Sequence, residues 1–150
     1  MPQTTQTPAT YASETAPRTV SASAAYATEH DAIIATMRHY IDGGRAGQSA
    51  LMRPGFLADA TMVGFAGGTL LSGSVQNLYD WIDGNGPAPD IEPRVTAVDI
   101  LDSIAVVRLE VERWSGKLAG AEVHMSDAFT LVKTNDGWKI AHKIFHWHAP

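Results

Sequence analysis

The segment DAFTLVKTNDGWKIAHKIFHWH, residues 127–148, carries the clearest structural signal in the chain. Two runs rich in β-branched and aromatic residues flank TNDG, a cluster of turn-forming residues at 134–137. This pattern predicts two antiparallel strands joined by a tight turn. Three of the six histidines of the protein, His142, His146 and His148, lie in the second strand. Because they occupy even-numbered positions, a regular strand would project all three from one face.

More strands are predicted immediately upstream. Segments 94–102 and 103–114 are two long runs joined by a tight turn, and segment 121–133 leads into the C-terminal pair. Within 103–114, the apolar residues Ala105, Val107, Leu109 and Val111 alternate with a second, more polar set. This alternation is typical of an antiparallel strand with one buried face.

The N-terminal half predicts helices and a hairpin. Segment 28–44 has an N-cap candidate in Thr28, an apolar face at helical spacing, and Gly43–Gly44 as its predicted end. A short second helix broken by Pro54 precedes a β-hairpin over 61–73, and a third helix follows over 74–84. The order predicts an α+β fold, with helices packed on a curved antiparallel sheet.

The composition indicates one domain over residues 28–150, preceded by a tail. Residues 1–27 are rich in Thr, Ala, Ser and Pro, which predicts a disordered or loosely attached segment. The net charge of −5 argues against nucleic acid or an anionic membrane as a partner, and no apolar run is long enough to span a bilayer. With a single basic residue and no apolar core in the first 25 residues, a cytoplasmic location is expected.

Recognisable cofactor and metal motifs are absent from the sequence. The chain contains no cysteine, and its glycine clusters match neither a dinucleotide-binding nor a phosphate-binding loop. No cofactor is therefore expected. A His-x-His pair on a strand, His146 and His148, is a geometry that zinc accepts, but a third ligand is needed. The alternatives for these histidines are a pocket rim or a dimer surface, and no metal is predicted.

Asp127 is the most informative residue of the chain. It shares its predicted strand face with Val123, Met125, Phe129 and Leu131, so it would be a carboxylate among apolar neighbours. Such a group is costly unless it is paired or lines a wet cavity, and burial raises its pKa toward values useful for acid–base catalysis. Two interpretations stay open: a pocket acid or base, or a structural partner of Lys143 on the neighbouring strand.

Three segments together resemble the NTF2-like superfamily: IIATMRHYIDG (33–43), GFLADATMVG (55–64) and LVKTNDGWKIAHKIFHWH (131–148). More narrowly, the D-x-x-T-L-V-K…D-G-W-K-I-x-x-K pattern from Asp127 to Lys143 is similar to the SnoaL-like branch that carries the name "putative lumazine-binding". The resemblance implies a cone of helices and curved sheet around an apolar cavity, and homodimers formed through the outer sheet face. Its members include isomerases, dehydratases, cyclases, hydrolases and plain binding proteins, so the fold leaves the function open.

One departure from that family matters. Dehydratase-like relatives carry acidic residues a few positions after the tyrosine that corresponds to Tyr40, whereas this chain has Gly43, Gly44 and Gly47 there. We therefore do not expect a dehydratase of that type.

The favoured hypothesis is a cofactor-independent enzyme that carries out proton transfer in an isomerisation, cyclisation, elimination or hydration of an apolar or aromatic substrate. The predicted catalytic residues are Asp127, His30 and His146. His30 lies on the predicted apolar helix face, where it could equally be a core or capping residue. The predicted substrate-binding residues are Tyr40, Met62, Tyr79, Trp81, Phe129, Lys143 and His148. The alternatives are a non-catalytic module that binds a small molecule in the same cavity and, third, a His-x-His metal site.

Overall fold

The computed structural model describes residues 13, 15 and 22–148. In the first helix, side chains are described from residue 25 onward. The helices are α1 (Ala22–Ala46), α2 (Ser49–Met52) and α3 (Gln76–Asn85), and a short 3₁₀ turn spans Arg53–Gly55. The strands are β1 (Phe56–Ala66), β2 (Thr69–Ser74), β3 (Glu92–Leu101), β4 (Ile104–Trp114), β5 (Val123–Thr134) and β6 (Gly137–Trp147). The predicted α+β class and order of elements are confirmed.

The six strands form one sheet in the order β2-β1-β6-β5-β4-β3. Every neighbouring pair is antiparallel except β1 and β6, which run parallel. The inner face of the sheet carries the core, because alternate residues of β4 and β5 are buried against the helices. This is the expected cone, with the helices covering the concave side of a curved sheet.

Helix α1 differs from the prediction at both ends. It begins at Ala22, so Thr28 lies inside the helix and the N-cap prediction was wrong; most of the predicted tail, 1–27, lies outside the described residues. The helix also continues through Gly43 and Gly44 to Ala46, and Gly47, at a φ of +67°, follows its end. Gly44 allows close packing of α1 on Trp114, because a Cβ at this position would lie 2.5 Å from the Trp114 ring.

The C-terminal hairpin holds α1 onto the sheet through Glu29. The Glu29 carboxylate accepts hydrogen bonds from Lys133 Nζ and Trp138 Nε1. Burial opposes the charge on Glu29, but these two donors outweigh it and lower the pKa of the carboxyl. The Trp138 of the GWKI motif is thus a structural contact between the hairpin and α1.

A β-bulge divides β6 into two halves that face differently. Thr130 pairs with His142 and Leu131 pairs with Ile140, so Ala141 is the extra residue. Before the bulge, Trp138 and Ile140 point into the core; after it, the odd-numbered residues do. The bulge is what turns Lys143 inward.

Candidate active site

A cavity of about 370 Å³ lies between the concave face of the sheet, α1, α3 and the β1–β2 hairpin. Its wall is mostly apolar, and three of the four tryptophans of the chain contribute to it. The lining residues are Tyr40, Met62, Ala66, Leu71, Ser72, Asn77, Leu78, Trp81, Ile82, Trp114, Met125, Lys143, Phe145 and Trp147. An apolar cavity with few polar groups is the usual form of a small-molecule site.

The charged group of the cavity wall is Lys143, and it belongs to a buried triad with Asp127 and Tyr40. Lys143 Nζ lies 3.3 Å from Asp127 Oδ1, with the two side chains 3% and 0% exposed. Tyr40 donates a hydrogen bond of 3.1 Å from Oη to Asp127 Oδ2. Tyr40 and Lys143 line the cavity, whereas Asp127 lies behind them. The carboxylate therefore reaches a ligand through its two partners.

Burial dominates the electrostatics of the triad. It raises the pKa of the Asp127 carboxyl above its usual range, although the charge of Lys143 and the hydrogen bond from Tyr40 both oppose that shift. The pKa of the Tyr40 phenol is also raised, first by burial and then by the negative charge of Asp127. An aspartate with a raised pKa can accept a proton from the adjacent ammonium at a lower free-energy cost than it could in water.

Two buried polar atoms in this region lack a hydrogen-bond partner among the described residues: Trp114 Nε1 and Asp127 Oδ1. Lys143 Nζ lies at ion-pair distance from Oδ1. Trp114 contributes to the cavity wall and packs on Tyr40, with 5.9 Å between ring centroids. An unsatisfied buried donor costs about 1–3 kcal/mol.

The structure brings only part of the predicted site together. Tyr40, Met62, Trp81 and Lys143 line the cavity, and Asp127 contacts two of them. Phe129 packs beneath Tyr40 with its ring centroid 5.1 Å away, and is completely buried. Tyr79 does not line the cavity; it lies on the other side of α3 under Arg53, whose Cζ is 4.3 Å from the ring centroid.

The three predicted histidines lie away from this cavity. His30 sits near the start of α1, 39% exposed, with Nδ1 3.9 Å from Asp31. His146 and His148 are exposed on the outer face, where their ring centroids are 4.8 Å apart. The bulge at Ala141 explains the placement, because it directs Lys143, Phe145 and Trp147 inward and the alternate residues outward.

Sequence reasoning did not identify Trp114, Phe145 and Trp147 as part of the cavity wall. Phe145 and Trp147 follow Lys143 at a spacing of two on β6, so they share its face. With the position of the bulge known, this spacing would have placed Lys143, Phe145 and Trp147 together on the inner face of the sheet.

The outer face carries a separate polar cluster formed by Glu110, His124, Ser126 and His148. Glu110 Oε2 lies 2.7 Å from both His124 Nε2 and Ser126 Oγ, and Ser126 Oγ lies 2.7 Å from His148 Nε2. Burial opposes the charge of Glu110, but hydrogen bonds from Ser126 and His124 outweigh it and lower the pKa of the carboxyl. Glu110, His124 and His148 offer ligand atoms within 4.8 Å of one another, so they could hold a metal ion. The two imidazoles are stacked nearly parallel, with their ring centroids 4.4 Å apart.

Comparison with known proteins agrees with this architecture. Residues 28–146 match the family described as "Putative lumazine-binding".

The chain belongs to this family.

The proteins that this chain is similar to differ in the activity that their names give. The aldolase FrzH of Cladobotryum sp. is 30% identical over 119 residues, which cover 79% of this chain and 91% of that protein. An NTF2-like protein of unknown function from Shewanella baltica OS155 is 31% identical, with a TM-score of 0.76 over 83% of this chain and 98% of the other. A ketosteroid isomerase-like protein from Erwinia carotovora atroseptica SCRI1043 shares the fold, with a TM-score of 0.63, 18% identity, and coverage of 81% and 98%. The family therefore lies within the NTF2-like superfamily.

One further finding concerns membranes. Within residues 22–148, no helix combines the length and the hydropathy that crossing a bilayer requires.

Proposed function

We propose that this protein is a cofactor-independent enzyme that moves a proton on an apolar carbonyl compound held in the cavity. The reaction class is isomerisation, elimination, hydration or a cyclisation of the aldol type. The observation that carries the proposal is the Lys143 ammonium, which lines an apolar cavity and pairs with the buried Asp127 behind it, while Tyr40 hydrogen-bonds the other oxygen of Asp127. The name of the aldolase relative supports a carbonyl substrate.

The geometry suits stabilisation of an enolate. When a C–H bond next to a carbonyl is broken, negative charge develops on the carbonyl oxygen, and a cation fixed in a water-poor site stabilises it strongly. Lys143 supplies this charge, and the indole N–H of Trp114 is a second donor without an acceptor. The aromatic wall formed by Trp81, Trp114 and Trp147 would hold a flat or polycyclic substrate by its apolar surface.

The test is α-proton exchange of an apolar bicyclic ketone, 2-decalone, in D₂O, followed by NMR. We expect the wild-type protein to accelerate exchange over buffer. With the double variant Lys143→Met/Asp127→Asn, we expect this acceleration to be at least about 100-fold smaller. Lys139→Met is the matched control, because Lys139 lies on the same strand but its Nζ binds the carbonyl oxygen of Pro54. Exchange in the double variant at the wild-type rate would contradict the proposal.

A second candidate is a non-catalytic binding module, and the closed Lys143–Asp127 ion pair favours it, because each charge already has its partner. The two candidates differ in one measurement. A binding module would take up the ketone, with quenching of its cavity tryptophans, but would leave α-proton exchange at the rate of the buffer.

We also propose that the protein is a homodimer formed through the outer face of the sheet. Apolar side chains are exposed on that face at Phe65, Leu70, Leu101, Ile104, Val106 and Ile144. Large apolar side chains exposed on one face of a sheet support an interface there, and Phe65, Leu70 and Ile144 line one groove.

A further inference from the structure

We propose that Lys143 acts covalently, as an amine that condenses with the carbonyl carbon of the substrate to form an iminium. This inference rests on the proposed function and deepens it, because it restricts the substrate to an aldehyde or ketone. An enzyme that only stabilises an enolate through charge would leave the carbon–oxygen bond intact throughout. The two mechanisms can therefore be separated by experiment.

The first argument is the position of the amine. Among the residues that line the cavity, Lys143 is the one that carries a primary amine, and its side chain is almost fully buried. Its Nζ lies 4.5 Å from the ring centroid of Phe145 and 5.4 Å from that of Tyr40. A lysine desolvated among aromatic rings is the form in which enzymes use this side chain as a nucleophile.

The second argument is the carboxyl behind the amine. An ammonium has no lone pair, so the nucleophile must first lose a proton, and Asp127 Oδ1 lies 3.3 Å from Nζ. Among residues 22–148, Lys143 is the one charged group that pairs with this oxygen, so the ammonium and the carboxylate that exchange the proton are already neighbours. Tyr40 holds the other carboxylate oxygen, Oδ2, and so fixes the orientation of the carboxyl.

The proton and electron changes balance without any co-reactant. A proton passes from the Lys143 ammonium to Asp127, and the amine lone pair forms a bond to the carbonyl carbon while the C=O π pair moves onto oxygen. Transfer of a proton from nitrogen to that oxygen gives the neutral carbinolamine. Asp127 then returns its proton to the hydroxyl, which leaves as water while the nitrogen lone pair forms the C=N bond. The products are a protonated iminium on Lys143, one water molecule and an ionised Asp127.

The covalent step would explain how a site without a cofactor activates a C–H bond. The iminium withdraws electrons from the adjacent carbon more strongly than the carbonyl does, so the α-proton passes to water more readily and leaves an enamine. The enamine carbon can then attack a second carbonyl, whose π pair moves onto oxygen and takes a proton from water; this is the bond-forming step of an aldol reaction. Hydrolysis of the resulting iminium by water restores the Lys143 amine.

Exchange of the carbonyl oxygen distinguishes the two mechanisms. We would incubate the protein with 2-decalone in ¹⁸O-labelled D₂O and measure both ¹⁸O uptake and α-proton exchange by mass spectrometry. If the iminium forms, both processes are accelerated over buffer, because hydrolysis returns an oxygen atom from the solvent. Accelerated α-proton exchange with no accelerated ¹⁸O uptake would overturn the iminium while leaving the proposed function intact. If neither is accelerated, both proposals fail.

Reductive trapping identifies the residue. Sodium cyanoborohydride reduces an iminium to a stable secondary amine, so treatment in the presence of 2-decalone should add one decalyl group per chain, on the peptide that contains Lys143. Lys143→Arg keeps the positive charge but lacks the primary amine, and we expect it to lose the adduct and the ¹⁸O uptake.

The folding of Lys143→Arg is checked by thermal denaturation. The double variant Lys143→Met/Asp127→Asn provides a second negative variant if arginine disturbs the core. Lys139→Met should trap as the wild type does. An adduct distributed over surface lysines at equal yield would also overturn the inference.

Discussion

At the scale of single residues, the Lys143–Asp127 pair is costly to the fold. Both side chains are almost completely buried, and moving two charges out of water costs several kcal/mol for each ion. Their attraction and the hydrogen bond from Tyr40 offset this cost, but replacement of a buried pair by apolar groups is often neutral or stabilising. A pair retained for stability alone would therefore be a poor solution, which is consistent with a role in binding or chemistry.

The pair leads to a prediction about coupled substitutions. Lys143→Met alone leaves a buried carboxylate without its cation, and Asp127→Asn alone leaves a buried ammonium, so each should lower the free energy of unfolding by about 3–5 kcal/mol. The double variant removes both charges, and we expect a stability equal to that of the wild type or up to about 4 kcal/mol higher. Urea denaturation of the four proteins measures the coupling. Additive losses in the double variant would mean that the two groups do not interact.

The same pair predicts a dependence on pH. Because burial raises the pKa of Asp127 in the folded protein, the native state binds more protons than the unfolded chain between the two pKa values. The contribution of Asp127 to stability is therefore fully present below the unfolded pKa and is lost as the pH rises through the folded one. The advantage of the double variant over the wild type should grow with pH across that window. An advantage that shrinks with rising pH would contradict the direction of the shift.

At the scale of elements, the sequence predicted the strands and helices better than it predicted the site. Alternating apolar residues in β4 and β5 and the turn at 134–137 correctly indicated the long antiparallel strands. The same periodicity could not locate the bulge at Ala141, because neither face of β6 is uniformly apolar. The sequence therefore predicted histidines as site residues. The residues of β6 that follow the bulge and line the cavity are instead Lys143, Phe145 and Trp147. The pairing of Asp127 with Lys143 was one of the two interpretations that the sequence left open, and it depended only on the two strands being neighbours.

The packing of α1 on the sheet gives a prediction for glycine. A methyl group at Gly44 would lie 2.5 Å from Trp114 Cη2, in a ring that is itself fully buried. Gly44→Ala should gain about 1 kcal/mol of helix propensity but lose more from overpacking, for a net loss of about 1–2 kcal/mol. Because Trp114 lines the cavity, binding of an apolar ligand should weaken as well. Chemical denaturation and tryptophan quenching measure the two effects.

A matched control comes from α3. Gly84 also lies inside a helix, but a methyl group there would meet only Leu118 Cδ1 at 3.2 Å, the end of a flexible side chain that is largely exposed. Gly84→Ala should therefore keep the propensity gain and leave ligand binding unchanged. Equal effects at the two positions would show that contact with Trp114 does not explain the glycine in α1. The contact with Trp114 also leaves no room for a larger side chain, such as a carboxylate, at Gly44.

At the scale of the whole molecule, the sheet separates two surfaces with different properties. The concave side encloses the cavity and its buried triad, whereas the convex side exposes apolar side chains beside the polar cluster of Glu110, His124, Ser126 and His148. A groove of about 420 Å³ crosses the convex side and is lined by Val63, Phe65, Leu70, Arg108, Ile144 and His146, among others. A second copy of the chain, docked on this side, would cover the apolar residues without obstructing the cavity.

The proposed dimer gives a prediction about assembly. Ile144 lies in the middle of the convex face, between β1 and β5, and is 51% exposed. A lysine at this position would place a charge in the interface core, where charged residues are depleted, so Ile144→Lys should convert the dimer into a monomer. Light scattering coupled to size-exclusion chromatography measures the mass directly.

Leu51→Lys is the control, because Leu51 is 42% exposed but lies on α2, away from the sheet. This variant should remain dimeric. The convex face is excluded as the interface if wild-type protein elutes as a monomer, or if Ile144→Lys remains a dimer. A monomeric Ile144→Lys that still exchanges the α-protons of 2-decalone would place the whole active site within one chain, as expected from a cavity wall and a triad that one chain supplies.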